Sequence, residues 1–206
     1  MKYYLDTETT GVFNGWQRDF SNHRHFPAIQ SFAGALVDDE WNIVEEYHTL
    51  VQLPDHIEIH PKALEAHGIT RERCNAEGVP IFQVLDKHNA MCAKARLVVG
   101  FNLDFDLGML EISWYRAKAE GYEVPRCELP QVVDLMKYAT PICGLPPTEK
   151  MKAAGRFQNK PPRLSEAIKI ICKHELEGAH DALVDVKGCI LLHRAIKEMQ
   201  DARHRE

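Results

Sequence analysis

The 206-residue sequence contains no long hydrophobic run and no excess of basic residues. No apolar stretch approaches the roughly 20 residues of a membrane-spanning helix, and the first residues lack the apolar region of a signal peptide. We therefore expect a cytoplasmic protein with no membrane association. The formal net charge of −5 predicts no general basic surface, so composition alone does not indicate a nucleic-acid-binding protein. It does not exclude one, because bound metal ions and a few local bases can hold the end of a strand.

Several common functional motifs are also missing. No Cys-x-x-Cys spacing occurs, which argues against a zinc ribbon or a disulfide framework and favours reduced thiols in a cytosolic protein. The six cysteines are scattered through the chain at Cys74, Cys92, Cys127, Cys143, Cys172 and Cys189. There is no Gly-x-Ser-x-Gly nucleophile elbow and no Gly-x-x-x-x-Gly-Lys phosphate loop. The sequence therefore favours neither a serine hydrolase with that elbow nor a P-loop nucleotide hydrolase.

The apolar patterns predict one domain over residues 1–206, long enough to bury its own core. A short strand at residues 1–5 is followed by a hairpin of residues 29–37 and 41–51, and later strands are expected at 97–101 and 132–134. Helices are predicted at 62–67, 80–95, 104–120, 163–174 and 180–199, and an extended loop at 141–163. Three early strands followed by alternating helices and strands indicate an α/β fold with a mixed central sheet flanked by helices.

Two acidic residues follow the first predicted strand. Asp6 and Glu8 are two positions apart, so on a strand both side chains point to the same face. Hard carboxylate oxygens of this kind suit Mg²⁺ or Mn²⁺ better than zinc. An isolated Asp-x-Glu is more often a solvated strand end, so this pair needs further acidic partners to indicate a metal site.

Candidate partners occur in two later segments. Asp104 and Asp106 lie at a helix start after a buried strand, where α/β proteins often place functional groups; either acid can equally serve only to favour the helix dipole. His180 and Asp185 lie five residues apart near another helix start. A histidine there can accept a proton from water, and the carboxylate can complete a metal shell, although a capping role is the common alternative.

Three segments together resemble a known family. They are Asp6-Thr7-Glu8-Thr9-Thr10-Gly11, Asn102-Leu103-Asp104-Phe105-Asp106, and His180-Asp181-Ala182-Leu183-Val184-Asp185. In this order they resemble the motifs of the DEDD-type 3′–5′ exonucleases of the ribonuclease H-like superfamily, in the branch with a catalytic histidine. The resemblance selects Asp106 over Asp104 as the metal residue. One departure is Phe101, which stands where the family often has a histidine.

The resemblance implies a set of roles for these residues. Asp6 would bridge two Mg²⁺ or Mn²⁺ ions, with Glu8 and Asp185 on the first ion and Asp106 on the second, while His180 would act as the general base. It further implies a ribonuclease H-like sheet of three antiparallel strands followed by parallel strands. Contacts with the terminal nucleotide are expected from Thr7, Thr9, Thr10, His67 and Asn102.

The implied activity is hydrolysis of phosphodiester bonds at nucleic-acid 3′ ends with release of nucleoside monophosphates. DNA is slightly favoured as the substrate, and a DNA polymerase or another replication or repair protein is a candidate partner. Two alternatives remain open. One is an exoribonuclease similar to oligoribonuclease, and the other is a non-catalytic nucleic-acid-binding module of the same fold.

Two further segments carry candidate strand contacts. Residues 150–163 contain five bases and no acid, which suits either phosphate binding or a solvated loop. The bases are Lys150, Lys152, Arg156, Lys160 and Arg163. The loop of residues 12–27 contains Phe13, Trp16, Phe20 and Phe26, which either stack on bases or, as we favour, anchor the loop.

Overall fold

The computed structural model describes residues 1–13, 19–20 and 22–203. Five strands form one sheet in the order β3-β2-β1-β4-β5. They are β1 (Lys2–Thr9), β2 (Ile29–Val37), β3 (Ile43–Leu50), β4 (Leu97–Gly100) and β5 (Gln131–Asp134). The first three strands pair antiparallel, whereas β4 runs parallel to β1 and β5 parallel to β4. The predicted mixed sheet, three antiparallel strands followed by parallel ones, is confirmed.

Helices cover both faces of the sheet. They are α1 (Pro61–His67), α2 (Arg71–Glu77), α3 (Ile81–Cys92), α4 (Leu103–Ala119), α5 (Leu135–Cys143), α6 (Glu149–Ala153), α7 (Leu164–Ala167) and α8 (Ala182–Arg203). A π-helical segment, Ile168–Cys172, continues α7, and a single 3₁₀ turn, His23–His25, lies in the early loop. The predicted helices at 62–67, 80–95, 104–120, 163–174 and 180–199 correspond to five of these elements.

The alternation of side chains along β1 divides the core into two layers. Tyr3 and Leu5 face the layer that contains residues of α3 and α4. Tyr4 faces the opposite layer, built from α5, α7 and α8. Because β1 is buried on both faces, its first residues form an apolar run rather than an alternating pattern. The same alternation places Asp6 and Glu8 on one face of the strand, just beyond this run.

The predicted extended loop at 141–163 is wrong in part. Helix α5 continues to Cys143 with Pro141 inside it, and α6 interrupts the remaining segment. Pro141 has no backbone N–H to donate to the carbonyl of Lys137, so the last turn of α5 forms despite one missing hydrogen bond. Caps begin both helices, because the side chain of Asp134 accepts from Met136 N and that of Thr148 accepts from Met151 N.

The early loop is held to α4 by aromatic side chains. Phe13 stacks on Phe105 with ring centroids 5.2 Å apart, and it meets Phe20 and Phe26 edge-on. Phe20 and Phe26 are buried. These contacts support the anchoring role that we favoured for the loop aromatics; Trp16 lies outside the described residues.

The state of the cysteines and the character of the helices bear on two of the expectations from the sequence. The six cysteines are free thiols. In the part of the chain that the structure describes, no helix has the length and apolar character needed to cross a membrane.

Candidate active site

Four carboxylates and one histidine converge at the end of the sheet where β1 finishes. Asp6 and Glu8 come from the end of β1, and Asp106 from the first turn of α4. The first turn of α8 supplies Asp185. Ligand atoms of Glu8, His180 and Asp185 all lie within 4.8 Å of one another. Residues that are up to 179 positions apart in sequence therefore share one small region.

Asp106, and not Asp104, points toward this cluster. Asp106 is buried, and its Oδ1 accepts a 2.7 Å hydrogen bond from the hydroxyl of Thr7 on β1. Asp104 is exposed and pairs with Lys137 at 3.1 Å. The difference in burial therefore distinguishes Asp106 from Asp104, which the position of the two acids on the helix alone does not.

His180 lies just before α8, in a left-handed backbone conformation with φ of 71°. Its backbone N–H donates to Asp185 Oδ2 at 3.3 Å. The side chain of Asp181 accepts from the backbone N–H groups of Leu183 and Val184, which caps the helix. The cap places His180 outside the first turn, so its exposed side chain reaches the same side as Asp185 despite the five-residue spacing.

Burial and mutual repulsion make it unfavourable to ionise all four carboxylates at once. Burial, followed by the charges of Asp106, Asp185 and Glu8, raises the pKa of Asp6 well above its usual range. Burial likewise raises the pKa of Glu8 to about 8, with the charges of Asp185 and Asp106 adding to it. Burial is also the main cause that raises the pKa of Asp106 to about 7 and of Asp185 to about 6. Perturbed groups of this kind concentrate at functional sites.

The donor set fits hard divalent cations. Asp185 Oδ1 is buried and has no hydrogen-bond partner among the described residues, so a ligand oxygen is left available. The cluster offers carboxylate oxygens and one imidazole, without a thiol in the ligand group. Oxygen ligands of this type suit Mg²⁺ or Mn²⁺. Bound cations would also offset the repulsion between the carboxylates.

The three threonines expected to contact substrate direct their hydroxyls into the protein. Thr7 donates to Asp106, and Thr9 donates to the carbonyl of Gly11 at 2.6 Å. The hydroxyl of Thr10 accepts from Ala28 N at 3.0 Å. These hydroxyls therefore shape the end of β1, and any substrate contact from this segment would come from other atoms.

His67 and Asn102 have different surroundings. His67 Nδ1 accepts from the backbone N–H of Ile69, so its Nε2 carries the proton and donates to the carbonyl of Thr9 at 3.2 Å. Both ring nitrogens are thus engaged with backbone. Asn102 is exposed at the start of α4, and its backbone N–H donates to Asp134 Oδ1 at 2.9 Å.

A groove of about 820 Å³ adjoins the carboxylates. It is lined by residues 7–12 of the β1 end, by His67 and by Phe105, and its walls carry the cations Arg24 and Lys62. Three further histidines line it, namely His25, His56 and His60. These wall residues come from two loops and α1. None of residues 150–163, all of which are described, is among the groove's lining residues.

Asp134 is a further buried acid near the cluster that no motif indicates. Its charge contributes to raising the pKa of Asp106 after burial, and its Oδ1 fixes the backbone of both Asn102 and Met136. The sequence signal for Asp134 is its position as the last residue of β5, next to the end of β4. Asp134 therefore connects the starts of α4 and α5 to the end of the sheet that carries the carboxylates.

Comparison with known proteins identifies a family and related exonucleases. The family model described as RNase_T: Exonuclease matches residues 4–192. Exodeoxyribonuclease I of Haemophilus influenzae is 28% identical over 173 residues, which are 82% of this chain and 36% of that protein.

Solved structures show the same fold. Exonuclease I of E. coli in complex with a dA16 oligonucleotide matches with a TM-score of 0.68 and 21% identity, over 96% of this chain and 40% of that one. A zinc-bound complex of the E. coli protein with single-stranded DNA matches with a TM-score of 0.70 and 21% identity, over 97% of this chain and 41% of that one. Exonuclease I of Methylocaldum szegediense matches with a TM-score of 0.68 and 22% identity, over 97% of this chain and 41% of that one. The chain spans about two fifths of the length of these relatives. The fold is therefore the ribonuclease H-like fold of these exonucleases.

Proposed function

This chain belongs to the exonuclease family, and from that premise we propose that it is a metal-dependent 3′–5′ exonuclease of the branch with a catalytic histidine. The observation that carries the proposal is the convergence of Asp6, Glu8, Asp106 and Asp185 with His180 at one end of β1. A single buried carboxylate occurs in many folds. Four of them, with perturbed pKa values and an adjacent histidine, form a set suited to binding cations and moving a proton.

The carboxylates are proposed to hold two Mg²⁺ or Mn²⁺ ions. Asp6, Glu8 and Asp185 would hold one ion, and Asp6 and Asp106 the other. When bound, such ions supply positive charge that stabilises both the attacking and the leaving oxygen of an in-line displacement at phosphorus. The chain keeps Asp106 oriented through the hydroxyl of Thr7, and the backbone N–H of His180 restrains Asp185.

His180 is proposed to accept the proton of the attacking water. Its ring is exposed and within 4.8 Å of ligand atoms of Glu8 and Asp185. His180 adopts a left-handed backbone conformation just before α8. A positioned histidine is the side chain most often used for a proton transfer of this kind.

The groove beside the cluster is proposed to receive the 3′ end of a single strand. Arg24 and Lys62 can neutralise phosphates, and the ring of Phe105 lies at the groove wall, where a base can stack. DNA is the proposed substrate because the relative from Haemophilus is an exodeoxyribonuclease and the E. coli protein binds a DNA oligonucleotide. The base-rich segment 150–163 is a second candidate for phosphate contacts, although Lys160 and Lys152 pair with Glu166 and Glu149.

A panel of single- and double-stranded DNA and RNA, each labelled at the 5′ or the 3′ end, tests the activity, its direction and its sugar preference together. With Mg²⁺, 5′-labelled single-stranded DNA should shorten stepwise, and 3′-labelled DNA should lose its label as mononucleotide at once. Faster cleavage of RNA would replace DNA with an exoribonuclease activity. Binding without cleavage in either metal would instead support a non-catalytic binding module.

The resemblance also carries the expectation that a DNA polymerase or another replication or repair protein is a partner. Association with such a protein would direct the activity to particular 3′ ends, while the chemical groups described above all come from this chain.

A further inference from the structure

A second group of potential metal ligands lies in the core layer that contains α3 and α4. It consists of His88 and Cys92 on α3 and Cys127 in the segment between α4 and β5. One ligand atom of each residue lies within 4.8 Å of the others. His88 and Cys92 are buried, and Cys127 is partly exposed. None of the three takes part in the proposed nuclease chemistry.

The distance between the two ligand atoms on α3 fits a tetrahedral ion. His88 and Cys92 are four residues apart on a helix, so their side chains lie on one face. The distance between His88 Nε2 and Cys92 Sγ is 3.6 Å. Zn–S and Zn–N bonds of normal length require nitrogen–sulfur and sulfur–sulfur separations of about 3.5–3.8 Å at tetrahedral angles. The helical pair therefore already has the spacing that a shared zinc ion would impose.

A hydrogen bond at its second ring nitrogen orients His88. His88 Nδ1 lies 3.1 Å from the hydroxyl of Tyr3, which is fully buried on β1. A metal-ligating histidine commonly uses its other ring nitrogen for a hydrogen bond of this kind, which fixes the ring and leaves the remaining nitrogen for the ion. Burial also lowers the pKa of His88 to about 4, so the imidazole is neutral and able to ligate at neutral pH.

The third residue is held in place by the same helix. Asn89, next to His88, donates from its side chain to the carbonyl of Pro125 at 2.6 Å and accepts from the backbone N–H of Cys127 at 3.2 Å. These two bonds dock the segment that contains Cys127 against the end of α3. These two hydrogen bonds therefore hold the backbone that carries Cys127 in a fixed position.

The group is separate from the carboxylate cluster. Tyr3, which contacts His88, lies three residues before Asp6 on β1, about 10 Å along the strand, and its side chain is on the opposite face. Its chemistry differs as well, because thiolate and imidazole ligands select zinc and other soft or borderline ions, whereas the carboxylates suit Mg²⁺.

We propose that His88, Cys92 and Cys127 form a zinc-binding site that ties the segment before β5 to α3. Three protein ligands leave the fourth tetrahedral position to water or another small ligand. Binding of Zn²⁺ releases the thiol protons of Cys92 and Cys127 to solvent, so zinc affinity rises with pH.

Cobalt substitution provides the test. Reduced, metal-free protein is titrated with Co²⁺ in the presence of excess Mg²⁺, which competes at the carboxylates, and thiolate-to-cobalt charge-transfer absorption is recorded. We compare the wild type with Cys127→Ser and with the matched control Cys143→Ser, which removes another partly exposed free thiol. In parallel, alkylation of Cys127 and Cys143 in the wild type is followed by mass spectrometry with and without Zn²⁺, which requires no variant to fold.

The site predicts charge-transfer absorption that saturates near one equivalent, disappears on addition of Zn²⁺ and persists in Cys143→Ser. In Cys127→Ser the band should be lost, or the affinity should fall by about tenfold or more. Zn²⁺ should slow alkylation of Cys127 and leave that of Cys143 unchanged. Absence of the band in the wild type, the same band in Cys127→Ser, or equal alkylation with and without Zn²⁺ would overturn the proposal. None of these results bears on the exonuclease activity.

Discussion

The hydroxyl of Thr7 donates a 2.7 Å hydrogen bond to Oδ1 of Asp106, linking β1 to the first turn of α4. Thr7 lies between Asp6 and Glu8, on the opposite face of the strand from both. Its hydroxyl therefore orients a carboxylate from another element, while its two neighbours present their own. The side chains of three consecutive residues thus all serve the same site.

Replacing Thr7 tests this orienting contact. Thr7→Val keeps the shape of the side chain and removes the donor, so we expect Mg²⁺ affinity or activity to fall by about 10–100-fold. Thr7→Ser retains the hydroxyl and should recover most of the loss. Mg²⁺ titrations of cleavage rate and of thermal stability provide the two measurements. Equal behaviour of the valine and serine variants would show that the hydrogen bond has no role.

The carboxylate cluster should make stability depend on pH when no metal is bound. The folded pKa values of Glu8, Asp106 and Asp185 (about 8, 7 and 6) exceed the ordinary values of 4.5 for Glu and 3.8 for Asp. The folded state therefore binds more protons than the unfolded state, and the contribution of these groups to stability is lost as pH rises from about 4 to 8. Tm in the presence of EDTA should fall by several degrees across this range.

Divalent cations should reverse that loss. Mg²⁺ binds the ionised carboxylates of the folded state, so the increase in Tm on adding Mg²⁺ should be larger at pH 8 than at pH 5. A Tm increase that is the same at both pH values would argue against cation binding by this cluster.

Asp6→Asn separates stability from function. The amide replaces a carboxyl group whose ionisation is opposed in the folded state by burial and by three other acids. The metal-free variant should therefore be more stable than the wild type at pH 8, while losing most of its response to Mg²⁺. Thermal unfolding with EDTA and with Mg²⁺ measures both effects. Asp104→Asn is the control, because Asp104 is exposed and paired with Lys137. A metal-free Asp6→Asn variant less stable than the wild type would contradict the repulsion described here.

His180→Gln should act on the chemical step. Loss of a general base typically lowers the rate by about 10²–10⁴-fold, and here the decrease should fall on kcat with little change in KM. His174→Gln, at another exposed histidine of the same connection, should leave both constants unchanged. An effect on KM alone would assign His180 to strand binding instead.

The sequence predicts the sheet and most helices because their signals are local. Alternation on β1 predicts the shared face of Asp6 and Glu8, and Gly68, with φ of 67°, ends α1 as the sequence indicates. Helix α5 was missed because Pro141 is a strong loop signal, whereas its stability comes from burial of Leu135 and Ala139. Tertiary packing there outweighs local propensity.

The site was less predictable than the fold wherever it depends on long-range contacts. Asp106 was selected over Asp104 by resemblance, and only burial gives the physical reason. The engagement of the Thr9 and Thr10 hydroxyls, and of both His67 nitrogens, rests on partners that no spacing reveals.

The most direct test of the account measures nucleoside monophosphates released from single-stranded DNA as Mg²⁺ is added. The wild type should release mononucleotides only with the metal, and Asp104→Asn should behave like it. Asp185→Asn should lose about a thousandfold or more in rate, because cation-mediated charge stabilisation contributes several kcal/mol to such a reaction. Release in EDTA, or full activity of a folded Asp185→Asn variant with Mg²⁺, would contradict the assignment of this cluster as the metal-dependent nuclease site.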